Sequence, residues 1–106
     1  NKATLQEVSF HVLDSVATLL KGNPTTVVEI RSHTDDKGSS SYNLDLSNRR
    51  AKSVVDYLIS QGVKPEQLQS KGYGESLPLE PNRINGKDNP AGREKNRRTE
   101  FKVLKN

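Results

Sequence analysis

The first twenty positions carry apolar residues at steps of three and four, the spacing that puts side chains on one face of an α-helix. Thr4 and Glu7 fit a capping box, in which both side chains satisfy backbone N–H groups at the helix start. Gly22 and Pro24 end the pattern, because glycine can adopt the left-handed cap and proline cannot continue a helix. The predicted apolar stripe consists of Leu5, Val8, Val12, Val16 and Leu19, widened by Leu13, Ala17 and Leu20.

Two further segments show a clear periodicity of apolar and polar residues. Residues 25–32 are rich in β-branched residues and alternate apolar with charged positions, so they predict a strand with Val28 and Ile30 on its buried face. Residues 43–61 return to helical spacing and predict a second amphipathic helix that Gly62 ends. The core stripe predicted for this helix consists of Ser47, Ala51, Val54, Val55, Leu58 and Ile59.

The last third of the chain predicts two strands separated by a long loop. After a short turn, residues 68–73 form one strand, and residues 98–104 form the last strand, with Phe101 and Val103 directed inward. Residues 74–92 are dense in glycine, proline and asparagine and show little periodicity, which predicts a surface loop.

This order of elements predicts an α+β domain, a two-layer sandwich in which a small mixed sheet carries two main helices on one face. Three strands make a small sheet for two long helices. We therefore expect that a fourth strand precedes Asn1 and that the first strand of the fold is truncated. The 106 residues have the size of a single domain, 1–106, and the start without methionine indicates a fragment of a larger protein.

Composition excludes several classes of function. The chain has no cysteine, which excludes a disulfide framework, a thiolate metal site and a catalytic thiol. The net charge of +4 comes from basic and acidic residues that are mixed along the chain, except in the basic stretch 93–98. RNA-binding domains usually combine such a stretch with exposed aromatic residues, and this chain has only three Tyr and two Phe. No nucleic-acid partner is predicted.

Neither a metal site nor a catalytic site is indicated. His33, Asp35 and Asp36 are close in sequence, but neighbouring strand residues point to opposite faces, and His11 belongs to a different helix. A nucleophile with its base would require a signature such as Gly-x-Ser-x-Gly, which the sequence lacks. We expect a binding protein without metal or cofactor rather than an enzyme.

A carboxylate and a guanidinium flank one strand-loop-helix junction. Asp35 follows the predicted strand, and Arg50 lies fifteen positions later on the first turns of the second helix, so the loop can bring them together. An aspartate accepts hydrogen bonds from an ammonium group, and an arginine binds a carboxylate through two parallel hydrogen bonds. Backbone N–H groups at the helix start add donors for an anion. This pair predicts a zwitterionic ligand of the amino-acid type.

Simpler interpretations of the same two residues stay open. Asp35 can cap a turn, because aspartate favours the start of loops. Arg50 can be a solvated helix arginine whose stem covers Val54. The two side chains can also pair only with each other, which would give a structural ion pair without a ligand.

One further pattern consists of spaced residues that occur in a fixed order along almost the whole chain. Its positions are Ile30-Arg31-Ser32-His33-Thr34-Asp35, Gly38, Asn43, Leu46-Ser47, Arg50-Ala51, Val54-Val55, Leu58, Gly62, Gly72-Tyr73-Gly74-Glu75, Pro78, Gly92-Arg93 and Asn96-Arg97-Arg98. This pattern resembles the OmpA C-terminal (OmpA/Pal/MotB) family of peptidoglycan-binding domains. The chain departs from the family at Ser32, where the family usually has glycine before the His-Thr-Asp run.

The resemblance implies an OmpA-like fold and a non-catalytic function. That function is non-covalent binding of peptidoglycan, which anchors an outer-membrane or periplasmic protein to the cell wall. Asp35 and Arg50 would hold the diaminopimelate (diaminopimelic acid) of the stem peptide. Asn43 would make a supporting polar contact. Thr34 and Leu46 would line the pocket, and Arg98 would lie near its rim.

The resemblance also implies a location and a partner. We expect the domain in the periplasm of a Gram-negative cell, associated with the cell outer membrane. The domain itself would be soluble, and its parent protein would be attached to that membrane. Peptidoglycan is the expected partner, and homodimerisation stays open. The alternative function is that of an envelope protein–protein interaction module that uses residues 74–92.

Overall fold

The computed structural model describes residues 10–77 and 82–106. In chain order the elements are α1 (Phe10–Lys21), β1 (Val27–His33), α2 (Ser40–Ser60), a 3₁₀ turn (Pro65–Gln67), β2 (Leu68–Gly74), β3 (Arg83–Ile84), β4 (Lys87–Asp88), α3 (Pro90–Asn96) and β5 (Arg98–Lys105). The predicted capping box at Thr4 and Glu7, with Leu5 and Val8, lies outside the described residues. Within residues 10–77 and 82–106, no helix is long and apolar enough to cross a membrane.

β1 is the central strand of a three-stranded sheet with the order β2-β1-β5. It runs parallel to β2 and antiparallel to β5, so the sheet is mixed, as predicted. Parallel neighbours need a crossover connection, which α2 supplies. With these directions, the residues that follow β1, the residues that follow β2 and the residues that precede β5 all meet at one edge of the sheet.

The apolar core lies between the sheet and the two long helices. β1 contributes Val28 and Ile30, which alternate with half-buried polar residues as the period of a strand requires. The core residues are Leu13, Ala17, Leu20, Val28, Ile30, Ala51, Val54, Leu58, Val63 and Leu68. This arrangement confirms the predicted α+β class. The strand expected upstream of Asn1 stays a prediction.

The buried face of α1 differs from the main predicted stripe. Leu13, Ala17 and Leu20 are buried, whereas Val12 and Leu19 are 46% and 63% exposed. The two candidate stripes differ by one position, which is a rotation of about 100° around the helix axis. Apolar residues occupy both stripes, so periodicity alone could not decide between them, and packing against α2 and the sheet selects the second.

Two other residues predicted to be in the core are partly exposed. Val103 on β5 is 51% exposed, because β5 is an edge strand and α2 packs over β1 and β2. Phe101 on the same strand is partly buried against the core. Ile59 near the end of α2 is 38% exposed, since the buried face of that helix passes through Val54 and Leu58.

α2 begins three residues earlier than predicted. Ser39 is its N-cap, and its hydroxyl accepts a hydrogen bond from the backbone N–H of Tyr42 at 3.1 Å. The helix therefore includes Ser40, and Asn43 lies within its first turns rather than at its start. Asn43 is among the buried residues of the helix.

The segment predicted as a surface loop, 74–92, contains regular structure. β3 and β4 form a hairpin, and their connection has Asn85 at φ 52° and Gly86 at φ 76°. Asparagine followed by glycine is the preferred pair for such a two-residue turn. α3 then begins at Pro90, because proline is well suited to a first helical position. The prediction of a loop was wrong for these residues because the turn signal was interpreted only as irregularity.

Gly72 permits a close approach of β2 to α2. A Cβ added at this position would lie 2.3 Å from the backbone nitrogen of Asn48 and 2.4 Å from Oγ of Ser47. The same close approach allows two hydrogen bonds, from Gly72 N to Asn48 Oδ1 at 2.8 Å and from Gly74 N to Ser47 Oγ at 2.9 Å. A glycine is therefore needed where the strand end meets the helix.

Gly72→Ala should destabilise the fold by about 3 kcal/mol, the upper end of the usual cost of overpacking, since its neighbours are backbone and a buried serine. Gly22→Ala is the matched control, because its added Cβ would have no contact shorter than 3.6 Å. Urea unfolding measures both variants. Equal stabilities would contradict the close approach.

Candidate functional site

The loop after β1 is fixed by hydrogen bonds to its neighbours. The backbone N–H of Thr34 donates to the carbonyl of Gly74 at 2.8 Å, which ties the end of β1 to the end of β2. The Thr34 hydroxyl donates to the carbonyl of Asp35 at 2.8 Å. Asp35 Oδ1 accepts from the backbone N–H of Lys37 at 3.0 Å. Asp35 thus caps a turn, as one of the simpler interpretations stated.

The Asp35 carboxylate is buried and also bound by arginines. The residue is 2% exposed, and its Oδ2 accepts a hydrogen bond from Nη1 of Arg97 at 2.6 Å. Nη1 of Arg93 lies 3.6 Å from the same oxygen. The interpretation that Asp35 and Arg50 pair only with each other is therefore wrong. A carboxylate buried this deeply needs such compensation, because an unpaired buried charge is strongly unfavourable.

α2 presents the other expected site residues on its buried face. Asn43 and Leu46 are 0% exposed and Arg50 is 4% exposed. Steps of three and four residues place them on successive turns of one helix face. Nη1 of Arg50 is buried without a hydrogen-bond partner among the described residues. The interpretation of Arg50 as a solvated arginine is wrong, because its guanidinium is inside the domain.

Asn43 joins α2 to the residue that follows β2. Its Nδ2 donates to Oε1 of Glu75 at 3.1 Å, whereas its Oδ1 is buried without a hydrogen-bond partner among the described residues. A Cβ added at Gly38 would lie 3.8 Å from this Oδ1, so the oxygen faces the loop that carries Asp35. Asn43 therefore lies between that loop and Glu75.

Arg98 is half-buried at the start of β5, opposite His33 in the ladder. Its Nε donates to Oε2 of Glu100 at 2.8 Å, and its Nη2 donates to the carbonyl of Leu77 at 2.9 Å. A rim position was expected for Arg98. These contacts connect β5 to the segment that follows β2, and the rim position stays a prediction.

His33 is buried and stacked on Tyr73, with ring centroids 5.3 Å apart. Its Nε2 lies 3.0 Å from Oε1 of Glu100. Burial first, and then the charge of Arg98, lower the pKa of His33 below its usual 6.5. The hydrogen bond from Arg98 lowers the pKa of Glu100. A neutral His33 that donates from Nε2 is the form that fits this environment.

No metal centre is evident in the parts of the chain that the structure describes, since they contain no group of three or more candidate ligands. The imidazole Nε2 of His33 is engaged by Glu100. The arrangement provides recognition groups: a carboxylate, guanidinium groups and a buried amide oxygen.

Three residues at this site were missed by sequence reasoning: Arg93, Arg97 and Glu75. All three belong to the family-like pattern, but the basic stretch 93–98 was considered only as a nucleic-acid-binding feature. Their role follows from topology, because the residues after β2 and before β5 reach the same edge as the residues after β1. Arg93 also donates to both carboxylate oxygens of Asp88 at 2.6 Å, so Asp88 of β4 is connected to the site.

A cleft of about 330 Å³ opens next to these residues, between the start of α2 and the end of β2. This volume lies at the lower end of the range for small-molecule sites. Neither Asp35 nor Arg50 lines it. Its walls are formed by Ser40, Leu44, Tyr73, Gly74, Glu75 and Ser76.

Known proteins resemble this chain in sequence and structure. The sequence model of the OmpA family matches residues 1–97. The peptidoglycan-binding protein ArfA of Mycobacterium tuberculosis is 39% identical over 101 residues, 95% of this chain and 29% of ArfA. The peptidoglycan-associated lipoprotein of Pseudomonas aeruginosa is 40% identical over 79 residues, 74% of this chain and 46% of the lipoprotein. This chain thus spans less than half the length of either relative.

A solved structure also resembles this chain. The crystal structure of the peptidoglycan-associated lipoprotein from Burkholderia pseudomallei superposes with a TM-score of 0.86 at 27% sequence identity. The superposition covers 98% of this chain and 84% of that one. The fold expected from the resemblance is therefore confirmed.

Acid should destabilise the domain through His33 before most carboxylates titrate. Because the folded-state pKa of His33 lies below 6.5, the unfolded chain binds a proton in mildly acidic solution that the folded chain does not. The free energy of unfolding should fall as the pH drops from about 7 to about 5.5. Urea unfolding across this interval measures the slope.

His33→Gln should flatten this slope, since it removes the titrating group. His11→Gln, at an exposed position on α1, is the matched control and should retain the slope. A slope that persists in His33→Gln would show that another group causes the acid sensitivity.

Proposed function

Because the chain belongs to the OmpA family, we propose that it binds peptidoglycan non-covalently and anchors its parent protein to the cell wall. The observation that carries this proposal is the 39% identity, over 95% of the chain, to a protein named for peptidoglycan binding. The peptidoglycan-associated lipoproteins support it in sequence and in fold. The mechanism is recognition without turnover.

The proposed ligand group is the diaminopimelate of the stem peptide, whose free end carries an ammonium and a carboxylate. Asp35 accepts hydrogen bonds from the ammonium group, and Arg50 binds the carboxylate. Burial supports these roles, because the interactions of charged groups are stronger where water is excluded. Asp35 already pairs with Arg97, but a carboxylate has about four acceptor positions, so further hydrogen bonds are available.

The other expected residues have supporting roles in this proposal. Asn43 offers its buried Oδ1 to a ligand donor. Thr34 and Leu46 shape the pocket, Thr34 through its hydrogen bonds to Gly74 and Asp35 and Leu46 through its fully buried side chain. Arg98 acts indirectly, because its guanidinium holds the segment after β2 through Leu77.

The location follows from the same proposal. A domain that binds the cell wall must be on the side of the membrane where peptidoglycan lies, so we infer a periplasmic location. The names of related proteins, among them a peptidoglycan-associated lipoprotein and an outer membrane protein A, support an envelope protein attached to the outer membrane as the parent.

Asp35→Ala and Arg50→Ala should each weaken binding to isolated sacculi by at least tenfold. Truncating one member of a desolvated charged contact typically costs about 2 to 5 kcal/mol. Co-sedimentation with sacculi measures the affinity, and thermal melting checks that each variant is folded.

Two neighbouring residues provide controls. Arg49→Ala removes an exposed arginine that pairs with Asp45 on the outer face of α2, and Asp36→Ala removes the carboxylate next to Asp35. Both controls should bind like the unmodified chain. If folded Asp35→Ala and Arg50→Ala also bind normally, the site assignment is wrong.

A further inference from the structure

The Asp35 carboxylate alone provides little net negative charge for an ammonium group. Its Oδ2 lies 2.6 Å from Arg97 and 3.6 Å from Arg93, and its Oδ1 accepts from a backbone N–H. Arg93 is shared with Asp88, but Arg97 remains as a full compensating charge. A ligand ammonium at this position would need a further acceptor that carries negative charge.

Glu75 places a second carboxylate beside the same loop. Thr34 and Gly74 are joined by a backbone hydrogen bond of 2.8 Å, and Asp35 and Glu75 are the residues that follow them. The Glu75 carboxylate accepts from the Asn43 amide at 3.1 Å. In the described part of the chain, no cation forms an ion pair with Glu75, so its charge is not compensated as that of Asp35 is.

Asn43 supplies independent support for a ligand at this point. It is fully buried, its Nδ2 faces Glu75, and its Oδ1 faces the Asp35 loop without a hydrogen-bond partner among the described residues. A buried acceptor without a donor is unfavourable, and a bound donor would relieve that cost. The oxygen lies between the two carboxylate-bearing segments.

A cleft gives a ligand access to Glu75. Glu75 forms part of its wall, together with Ser40 and Leu44 at the start of α2. Among the described residues that line it there is no arginine or lysine, so none of them repels a cation. The cleft is therefore suited to the ammonium-bearing part of a ligand rather than to the carboxylate-bearing part.

We propose that Glu75 is a further ligand-binding residue, which receives the diaminopimelate ammonium together with Asp35 and Asn43. An ammonium group has three donors, and these three side chains provide three acceptors. The inference rests on the proposed function, and it makes the free amine of the ligand a determinant of specificity. Glu75 then restores the negative charge that Arg97 removes from Asp35.

The test compares two synthetic stem peptides, one with meso-diaminopimelate and one with 2-aminopimelate, which lacks the free amine but keeps the carboxylate. Glu75→Gln keeps the size of the side chain and an oxygen for Asn43 while it removes the charge. It should weaken binding of the first peptide about tenfold, the effect of losing one charged hydrogen bond, and leave binding of the second unchanged. Isothermal titration calorimetry measures both affinities.

Glu66→Gln is the matched control, because it removes an exposed glutamate just before β2, at the opposite end of that strand. It should bind both peptides like the unmodified chain. Unchanged binding of the first peptide by Glu75→Gln would overturn the inference, and so would an equal loss for both peptides, which indicates a structural role. Failure of the unmodified chain to bind either peptide or sacculi would instead contradict the proposed function.

Discussion

The partly buried ion pair between Asp35 and Arg97 is the interaction on which the rest of this site depends. It connects the loop after β1 to the residue that precedes β5, across the sheet edge where three chain segments meet. A carboxylate that is 2% exposed needs a partner, and Arg97 supplies it at 2.6 Å. The same pair positions α3, whose Arg93 approaches the same carboxylate oxygen.

That constraint has a consequence for recognition. When a guanidinium neutralises an acidic residue, that residue alone attracts a cation only weakly. Selectivity for a cationic ligand must then come from the surrounding groups. At this edge those groups are Glu75, the buried oxygen of Asn43 and the helix face that carries Arg50. In the proposed mode of binding, recognition depends on balanced charges distributed over several segments rather than on a single pair of opposite charges.

Local periodicity was sufficient to predict much of the fold but only part of the candidate site. The alternation around Val28 and Ile30 identified β1, because one face of that strand is buried. It could not select the buried face of α1, where two apolar stripes compete. Nor could it place Arg97 at Asp35, 62 positions away, because that contact depends on the order β2-β1-β5 and on an antiparallel last strand.

We propose that the edge after β1 binds the diaminopimelate-containing stem peptide. Titration of the isotope-labelled domain with that peptide, followed by amide shifts in NMR spectra, tests it most directly. We expect shifts concentrated in residues 34–38, 43–50 and 74–76, with the hairpin turn at 85–86 and the far end of β2 unaffected. A titration without shifts at high peptide concentration, or with shifts confined to other surfaces, would contradict it.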